Sequence, residues 1–229
     1  MLGQRTKSRP RARPRATSGP TAATDRRILE HARRAFNERG VAAVGIREIA
    51  RDLGLSPGNV SYHFPTKEAL VTALVREGHA ANNAAVSASA GPFGFGQVNA
   101  AIRAIMRRDL ENQWLMREYV GLLVAMPALR DLHTQIQGAR EARVDTVVTH
   151  LVEAGLLDRE RIARRGAELR RQVFTQVFFW LPAAIVSAPT RDPAASLDAH
   201  ARATLALFLP HCTPAGRRQL EALLDGPSS

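Results

Sequence analysis

The first folded stretch of the chain carries apolar residues at helical spacing. The residues on this single face are Ile28, Leu29, Ala32, Ala35 and Phe36. Thr24 or Asp25 can cap the start of the helix, because both side chains accept hydrogen bonds from free backbone N–H groups. Gly40 follows the pattern and predicts a left-handed C-cap. The periodicity therefore predicts a helix that ends just before Gly40.

Two short helices and one longer helix are predicted next. Apolar residues at helical spacing indicate a helix over about 45–53, and Gly54 follows where a tight turn is needed. The pair Ser56-Pro57 then marks a strong helix start, a cap followed by proline in the first turn. Pro65 ends this short helix one or two residues earlier. Thr66 caps a fourth helix that runs into the mid-80s.

A glycine-rich break over 90–97 separates this N-terminal unit from a longer helical region. Helices are predicted over 97–112, 114–126, 128–154, 159–187, 194–209 and 214–224. No segment alternates with a period of two, so no strand is expected. The predicted fold is all-α. It has a basic disordered tail over 1–22, a three-helix N-terminal domain over 23–88 and a larger helical domain over 89–229.

The charge of the chain favours a polyanionic partner. The formal net charge is +11. The basic residues that precede the first acidic residue, Asp25, are Arg5, Lys7, Arg9, Arg11, Arg13 and Arg15. Both nucleic acid and an anionic membrane surface fit such a balance. The tail is expected either to be solvated without a specific role or to add phosphate or minor-groove contacts.

Other sequence features favour a cytoplasmic protein without a membrane partner. Cys212 is the single cysteine, so no intrachain disulfide is possible, which suits a reducing compartment. No apolar segment follows the basic N-terminus as a secretory signal requires. The apolar run over 177–186 is about half the roughly 20 residues that a spanning helix needs.

The motif over 46–64, IREIARDLGLSPGNVSYHF, is the most informative part of the chain. Two short helices joined by a turn at Gly54 form a helix-turn-helix, which sets the second helix across the first and allows it to enter the major groove of DNA. Apolar residues supply the seam between the two helices, and the small Ala50 permits their close crossing. A helical hairpin within an ordinary core is the alternative, but it would not leave one face of the second helix polar.

That polar face predicts contacts with DNA. Its residues are Pro57, Gly58, Asn59, Ser61, Tyr62 and His63, after the cap Ser56. Gly58 lets the backbone approach the duplex, and Asn59 can make a bidentate contact to adenine. Lys67, at the start of the fourth helix, is expected to help hold a phosphate, and Arg47 is expected to flank the groove.

Residues 25–83 resemble the DNA-binding domain of the tetracycline-repressor (TetR) family. The resemblance rests on the segment 28–36, on Gly40, on the motif over 46–64 and on the following 67–70, and the Tyr62-His63-Phe64 ending indicates a subgroup. It implies a three-helix DNA-binding domain attached to a helical domain that dimerises and usually binds a small molecule. Gly45 departs from the family, which commonly has Ser or Thr there, so Gly45 is credited with a backbone contact to phosphate only.

Metal and enzyme chemistry find no support in the sequence. The seven histidines show no paired ligand spacing on a common helix face. No phosphate-binding glycine loop, nucleophile elbow or recognisable pair of carboxylates is present. We therefore expect no metal, no cofactor and no enzymatic activity.

The C-terminal region carries two further expectations. The segment 172–186 is apolar nearly all round and contains Pro182, and with the helix over 194–209 it is the expected two-fold interface of a homodimer. A pocket for a small-molecule effector is expected among the central helices, and an apolar effector is favoured because no buried charge is evident. The candidate lining residues are Trp114, Tyr119, Met126, His133, Phe174 and Phe178.

These expectations combine into two hypotheses. The first is a ligand-responsive repressor that binds a double-stranded DNA operator as a homodimer and is released by its effector. The second is a basic architectural protein that binds DNA without operator specificity.

Overall fold

The computed structural model describes residues 20–87 and 93–226. Helices make up nearly all the regular structure of these residues, apart from one antiparallel bridge between Leu157 and Cys212. The α-helices are α1 (Pro20–Arg39), α2 (Ile46–Asp52), α3 (Pro57–His63), α4 (Lys67–Ser87), α5 (Phe95–Glu111), α6 (Gln113–Ala125), α7 (Pro127–Glu153), α8 (Arg159–Ser187), α9 (Leu197–Ala206) and α10 (Pro214–Asp225). This confirms the all-α prediction.

The helix ends follow from local capping chemistry. Gly40 adopts a φ of 81° directly after α1, in the left-handed region that favours glycine. The Ser56 hydroxyl caps α3, where its Oγ accepts a hydrogen bond from the Asn59 N–H at 3.1 Å. Thr66 does the same for α4, with its Oγ1 3.0 Å from the Ala69 nitrogen. The three caps thus end α1 and begin α3 and α4 at the residues that the sequence predicts.

Three helices have a boundary that differs from the predicted one by two residues or more. α1 begins at Pro20 rather than near Asp25, because Pro20 is suited to a first turn and the alanines after it are good helix formers. The rest of the predicted tail lies outside the described residues. α5 begins at Phe95 instead of residue 97, with Gly94 as its N-cap. The predicted helix over 194–209 is shorter, since tight 3-10 turns at Pro193–Ser196 and Leu209–His211 flank α9.

The described residues form two apolar cores. The first core joins α1–α4 and also takes in residues of α6 and α7, among them Trp114, Leu122 and Leu129. The second core joins α5, α7, α8, α9 and α10 around Phe95 and Trp180. Residues of α6 and α7, which follow the predicted domain boundary at residue 88, therefore complete the core of the N-terminal helices.

α8 passes through Pro182 without ending there. Proline has no N–H, so it cannot donate the helical hydrogen bond to the carbonyl of Phe178. No helix of the described residues is both long and apolar enough to cross a membrane.

Candidate DNA-binding surface and ligand cavity

A buried apolar seam fixes α3 across α2. Val60 and Ala50 are fully buried, and Ile49 is 1% exposed, within the core that α1 and α4 close from the other side. Leu55 is partly buried against the same core, in the turn that contains Gly54. The seam fixes which side of α3 faces outward. That side is the polar one.

The outward side of α3 carries most of the residues predicted to contact DNA. The exposed residues of this surface are Arg47, Ser56, Pro57, Gly58, Asn59, Ser61 and Tyr62. Tyr62 is 80% exposed, unusually open for a large aromatic side chain. We call these seven residues the recognition surface. Their amide, hydroxyl, phenol and guanidinium groups are available to base edges and phosphates.

His63 does not belong to this surface. Its side chain is 7% exposed, and its Nδ1 lies 2.5 Å from Oδ1 of Asp25 on α1. α3 turns His63 towards α1 because it lies three residues after the buried Val60, on the same side of the helix. In the structure this bond ties the end of α3 to α1, and the predicted base or phosphate contact of His63 stays a prediction.

Lys67 also makes hydrogen bonds within the protein. Its ammonium Nζ donates to the carbonyl of Val41 at 2.8 Å and to that of Ala42 at 3.2 Å. These bonds fix the loop between α1 and α2 to the start of α4. Two of the three N–H donors of the ammonium are used in this way, and the expected phosphate contact stays a prediction for the third, beside the backbone N–H groups of the first turn of α4. Gly45, in the same loop region, caps α2 with a φ of −105°.

A cavity of about 160 Å³ lies among the helices that follow the recognition surface. Its walls come from α4, α5, α6, α7 and α8, with Phe208 closing one side. Of the predicted ligand contacts, the structure places Trp114, Tyr119, Phe174 and Phe178 in the wall. The rings of Phe174 and Phe178 are stacked, with centroids 5.6 Å apart and planes inclined by 15°. The cavity is therefore rich in aromatic surface despite the low aromatic content of the chain.

Met126 and His133 are not brought to the cavity. Met126 packs against the first core at the junction between α6 and α7. His133 lies behind the wall, with its Nδ1 2.5 Å from the hydroxyl of Tyr119. Burial lowers the pKa of His133, and the nearby Arg140 lowers it further. His133 thus orients a cavity residue instead of lining the cavity.

The cavity also contains charges that the sequence analysis did not anticipate. Asp109 lines it, and burial raises the pKa of this carboxyl group to about 7. The Trp180 Nε1 donates to its Oδ2 at 2.8 Å. Arg108, Arg140 and Arg143 line the same space. The expectation of a cavity without buried charge is therefore wrong.

A helical pattern in the sequence points to two of these residues. Asp109 follows Ile102 and Met106 on the inner face of α5. Arg140 follows Leu132 and Ile136 at intervals of four on the inner face of α7. Charged residues in register with an apolar stripe are the signal that was missed.

Among the described residues, three of the hydrogen bonds between the N-terminal unit and the helices around the cavity run from a backbone N–H to a side-chain oxygen. Asn37 Oδ1 accepts from the backbone N–H of Trp114 at 3.0 Å. Glu118 Oε1 accepts from the N–H of Val41 at 3.0 Å. Glu68 Oε1 accepts from the N–H of Ala128, in the first turn of α7, at 2.7 Å. We call these bonds the inter-unit joint.

Two protein-family models match the sequence of this chain. Residues 28–74 match bacterial regulatory proteins of the tetR family, and residues 84–220 match a bacterial transcriptional repressor model of TetR type. The chain belongs to the TetR family. Members of this family are transcription regulators rather than enzymes, in agreement with the sequence analysis.

Curated relatives of this TetR-family chain resemble mainly its N-terminal unit. A helix-turn-helix transcriptional repressor of Mycobacterium tuberculosis is 39% identical over 64 residues, 28% of this chain and 34% of the relative. The helix-turn-helix transcriptional regulator UidR of Escherichia coli K12 is 38% identical over 52 residues, 23% of this chain and 26% of the relative. The matches thus span about a third or less of these relatives' lengths.

A solved structure supports the fold over most of the chain. A TetR-family transcriptional regulator from Marinobacter aquaeolei VT8 superposes with a TM-score of 0.76 and 21% identity. The superposition covers 88% of this chain and 97% of the other. The prediction of an N-terminal helix-turn-helix domain followed by a larger helical domain is therefore confirmed.

Proposed function

We propose that this chain is a transcription repressor that binds a double-stranded DNA operator as a homodimer and releases it when a small molecule occupies the cavity. The observation that carries the DNA-binding part is the recognition surface, polar and exposed on one side of a helix whose other side is fully buried at Val60. A helix held in this way presents its outer face to the major groove. Family membership supports the regulatory part.

The recognition surface divides its contacts between bases and phosphates. Asn59 and Tyr62 face outward from α3 and reach base edges, while Arg47 on α2 contacts a flanking phosphate. The backbone N–H groups of the first turn of α4 add phosphate contacts. The Gly45 N–H is already used, since it donates to Glu48 Oε2 at 3.5 Å. We place the chain in the Tyr-His-Phe subgroup, in which Tyr62 contacts DNA and His63 fixes the angle of α3.

An exposed apolar face supports homodimer formation. Val120 and Val124 of α6 are 69% and 75% exposed, and Phe179 and Val186 of α8 are 45% and 82% exposed. Burying this face against a second copy removes apolar surface from water. The interface predicted over 172–186 fits it. The interface predicted over 194–209 fits less well, because α9 turns its large apolar side chains into the protomer.

Trp114 links the cavity to the DNA-binding unit. It lines the cavity, and its ring lies 5.4 Å from that of Phe36 on α1. Its backbone N–H is one of the donors of the inter-unit joint. A ligand that shifts α6 therefore moves α1 and, through it, the spacing of two recognition helices in a dimer. Release then follows as a population shift between DNA-competent and DNA-incompetent dimers.

The test is a fluorescence anisotropy titration of the full chain against its own upstream DNA, with random DNA as competitor and a salt series. Asn59→Ala and Tyr62→Ala are each expected to weaken specific binding by roughly tenfold to a hundredfold, the effect of losing about 1–3 kcal/mol of base readout. Arg130→Ala, an exposed arginine of α7, is the control and leaves binding unchanged. Binding to the upstream DNA that is no tighter than binding to random DNA would overturn the operator hypothesis in favour of an architectural role.

A further inference from the structure

The polar atoms of the cavity wall that have no partner are mostly hydrogen-bond donors. Among the described residues, the buried side-chain atoms without a hydrogen-bond partner include Trp114 Nε1, Arg140 Nη1 and His79 Nδ1, and all three residues line the cavity. An indole N–H and a guanidinium N–H can only donate. Trp114 is 1% exposed, so its indole N–H is withdrawn from bulk water. A ligand that supplies acceptors would satisfy these groups.

The charged side chains of the wall are mainly positive. Among the described residues, none of Arg108, Arg140 and Arg143 has a carboxylate within ion-pair distance. Arg108 and Arg143 instead donate to the neutral amide oxygens of Asn82 and Asn83. Positive charge inside an apolar cavity is costly unless it is paired, and an anion provides the pair.

Arg140 interacts with several of the other residues that line the cavity. Its Cζ lies 4.9 Å from the centroid of the Phe178 ring, on a side of the cavity where aromatic surface is dense. Burial lowers the pKa of His79, and Arg140 and then Arg143 lower it further, so His79 is held neutral. The only carboxylate among the described lining residues is Asp109. Burial raises its pKa to about 7, although the Trp180 hydrogen bond and the nearby Arg140 and Arg108 lower it, so its charge is reduced near neutral pH.

The rest of the cavity wall is mainly apolar, and the volume that it encloses limits the size of the ligand. It includes Ile102, Val144, Val147 and Val177 beside the stacked phenylalanines. The volume of about 160 Å³ is close to that of engineered apolar cavities of about 150 Å³ that hold one benzene ring. The body of the ligand is therefore about one ring in size.

We propose that the effector is a small monocarboxylic acid with an apolar body of about one ring, whose carboxylate is held by Arg140 with the unpartnered N–H of Trp114. This inference rests on the proposed ligand-responsive function and names the ligand class of its cavity. The donors and the guanidinium take the carboxylate oxygens. The apolar walls from α5, α7 and α8 take the body.

The test is a set of three ring compounds that differ in one group, benzoate, benzamide and benzylamine. Each is titrated into the full chain by isothermal calorimetry, without DNA. Benzoate is expected to bind at least tenfold more tightly than the other two. Arg140→Gln is expected to abolish this preference, whereas Arg130→Gln on the exposed side of α7 keeps it. The preference in the unaltered protein tests the proposal even if Arg140→Gln does not fold.

The proposal is overturned if benzoate and benzamide bind equally, if benzylamine binds best, or if none of the three binds. It is also overturned if a folded Arg140→Gln protein still prefers benzoate. A parallel anisotropy assay on operator DNA separates this inference from the proposed function. If benzoate binds through Arg140 but operator DNA stays bound, ligand-driven release is wrong and the ligand class stands. If a neutral or cationic compound releases the operator, the ligand class is wrong and the proposed function stands.

Discussion

The side chain of Asn37 connects the last turn of α1 to the first turn of α6, where its Oδ1 accepts a hydrogen bond from the backbone N–H of Trp114 at 3.0 Å. Its Nδ2 donates to the carbonyl of Glu111, at the end of α5, at 2.8 Å. Asn112, the N-cap position of α6, makes no side-chain capping bond of its own. Asn37 therefore caps a helix of the neighbouring unit.

Asn37→Ala is expected to lower the free energy of unfolding by about 1–2 kcal/mol, because it removes a cap and leaves the Glu111 carbonyl without this donor. Asn37→Asp keeps the acceptor for the Trp114 N–H but loses the donor, and a smaller loss is expected. Urea unfolding followed by circular dichroism measures both. Glu38→Ala, at the next and exposed position, is the control and changes little. Equal stability of all four proteins would show that Asn37 does not connect the units.

The neighbours Tyr62 and His63 are expected to respond in opposite ways to replacement by alanine. Tyr62→Ala weakens operator binding but changes stability by less than about 0.5 kcal/mol, since the side chain is exposed. His63→Ala destabilises the protein, because it removes the bond to Asp25. A double-mutant cycle of His63→Ala and Asp25→Ala is expected to give a coupling energy of about 1–2 kcal/mol. Additive effects of the two replacements would argue against this bond.

The sequence predicts the elements of the DNA-binding unit well because local chemistry decides them. Ser56, Pro57 and Pro65 fix α3 to within a residue, and Val60 identifies its buried side. The roles of His63 and Lys67 cannot be predicted in this way. Their partners, Asp25 and the Val41 carbonyl, lie 38 and 26 residues away, and only the packing of α1 against α3 and α4 brings them together.

The cavity shows a different limit of sequence reasoning. Aromatic residues are natural candidates for an apolar wall, and four of the six predicted lining residues are in it. Asp109 and Arg140 were missed because charged residues are normally assigned to solvent. Their helical register with Met106 and Ile136 was visible, but the sequence does not show that α5 and α7 face one another across a space.

Asp109 makes stability depend on pH. In the unfolded chain the carboxyl group ionises near its ordinary pKa of 3.8, whereas burial raises the pKa to about 7 in the folded protein. Between these values the folded state keeps a proton that the unfolded state has released. The free energy of unfolding therefore falls as pH rises from about 4 to about 7, by at most about 1.4 kcal/mol per pH unit from this group, and the contribution is level above that range.

Asp109→Asn is expected to remove this slope, because the amide carries no charge yet can still accept from Trp180 Nε1. Between pH 5 and pH 8 the variant should gain about 2–3 kcal/mol relative to the unaltered protein. Urea unfolding at the two pH values measures the difference. Asp131→Asn, at an exposed position of α7, is the matched control and should follow the unaltered protein. A parallel pH profile for Asp109→Asn would contradict the raised pKa.

Gly40 and Gly155 allow a controlled test of the contact between the loop after α1 and helix α6. Both follow a helix and adopt a left-handed backbone, with φ of 81° and 69°. Alanine at either position costs about 1–2 kcal/mol from the backbone alone. A Cβ at Gly40 would also lie 2.9 Å from Glu118 Oε1, the atom that accepts from the Val41 N–H, whereas a Cβ at Gly155 meets nothing within 4 Å.

Gly40→Ala is therefore expected to cost about 1 kcal/mol more than Gly155→Ala in urea unfolding, because it displaces Glu118 from its hydrogen bond to the loop. The excess should disappear in a Glu118→Ala background, where no carboxylate is displaced. Gly155→Ala should cost the same in both backgrounds. An excess at Gly40 that persists without the Glu118 carboxylate would show that backbone strain alone sets the cost. Glu118 would then not be what joins this loop to the cavity helix α6.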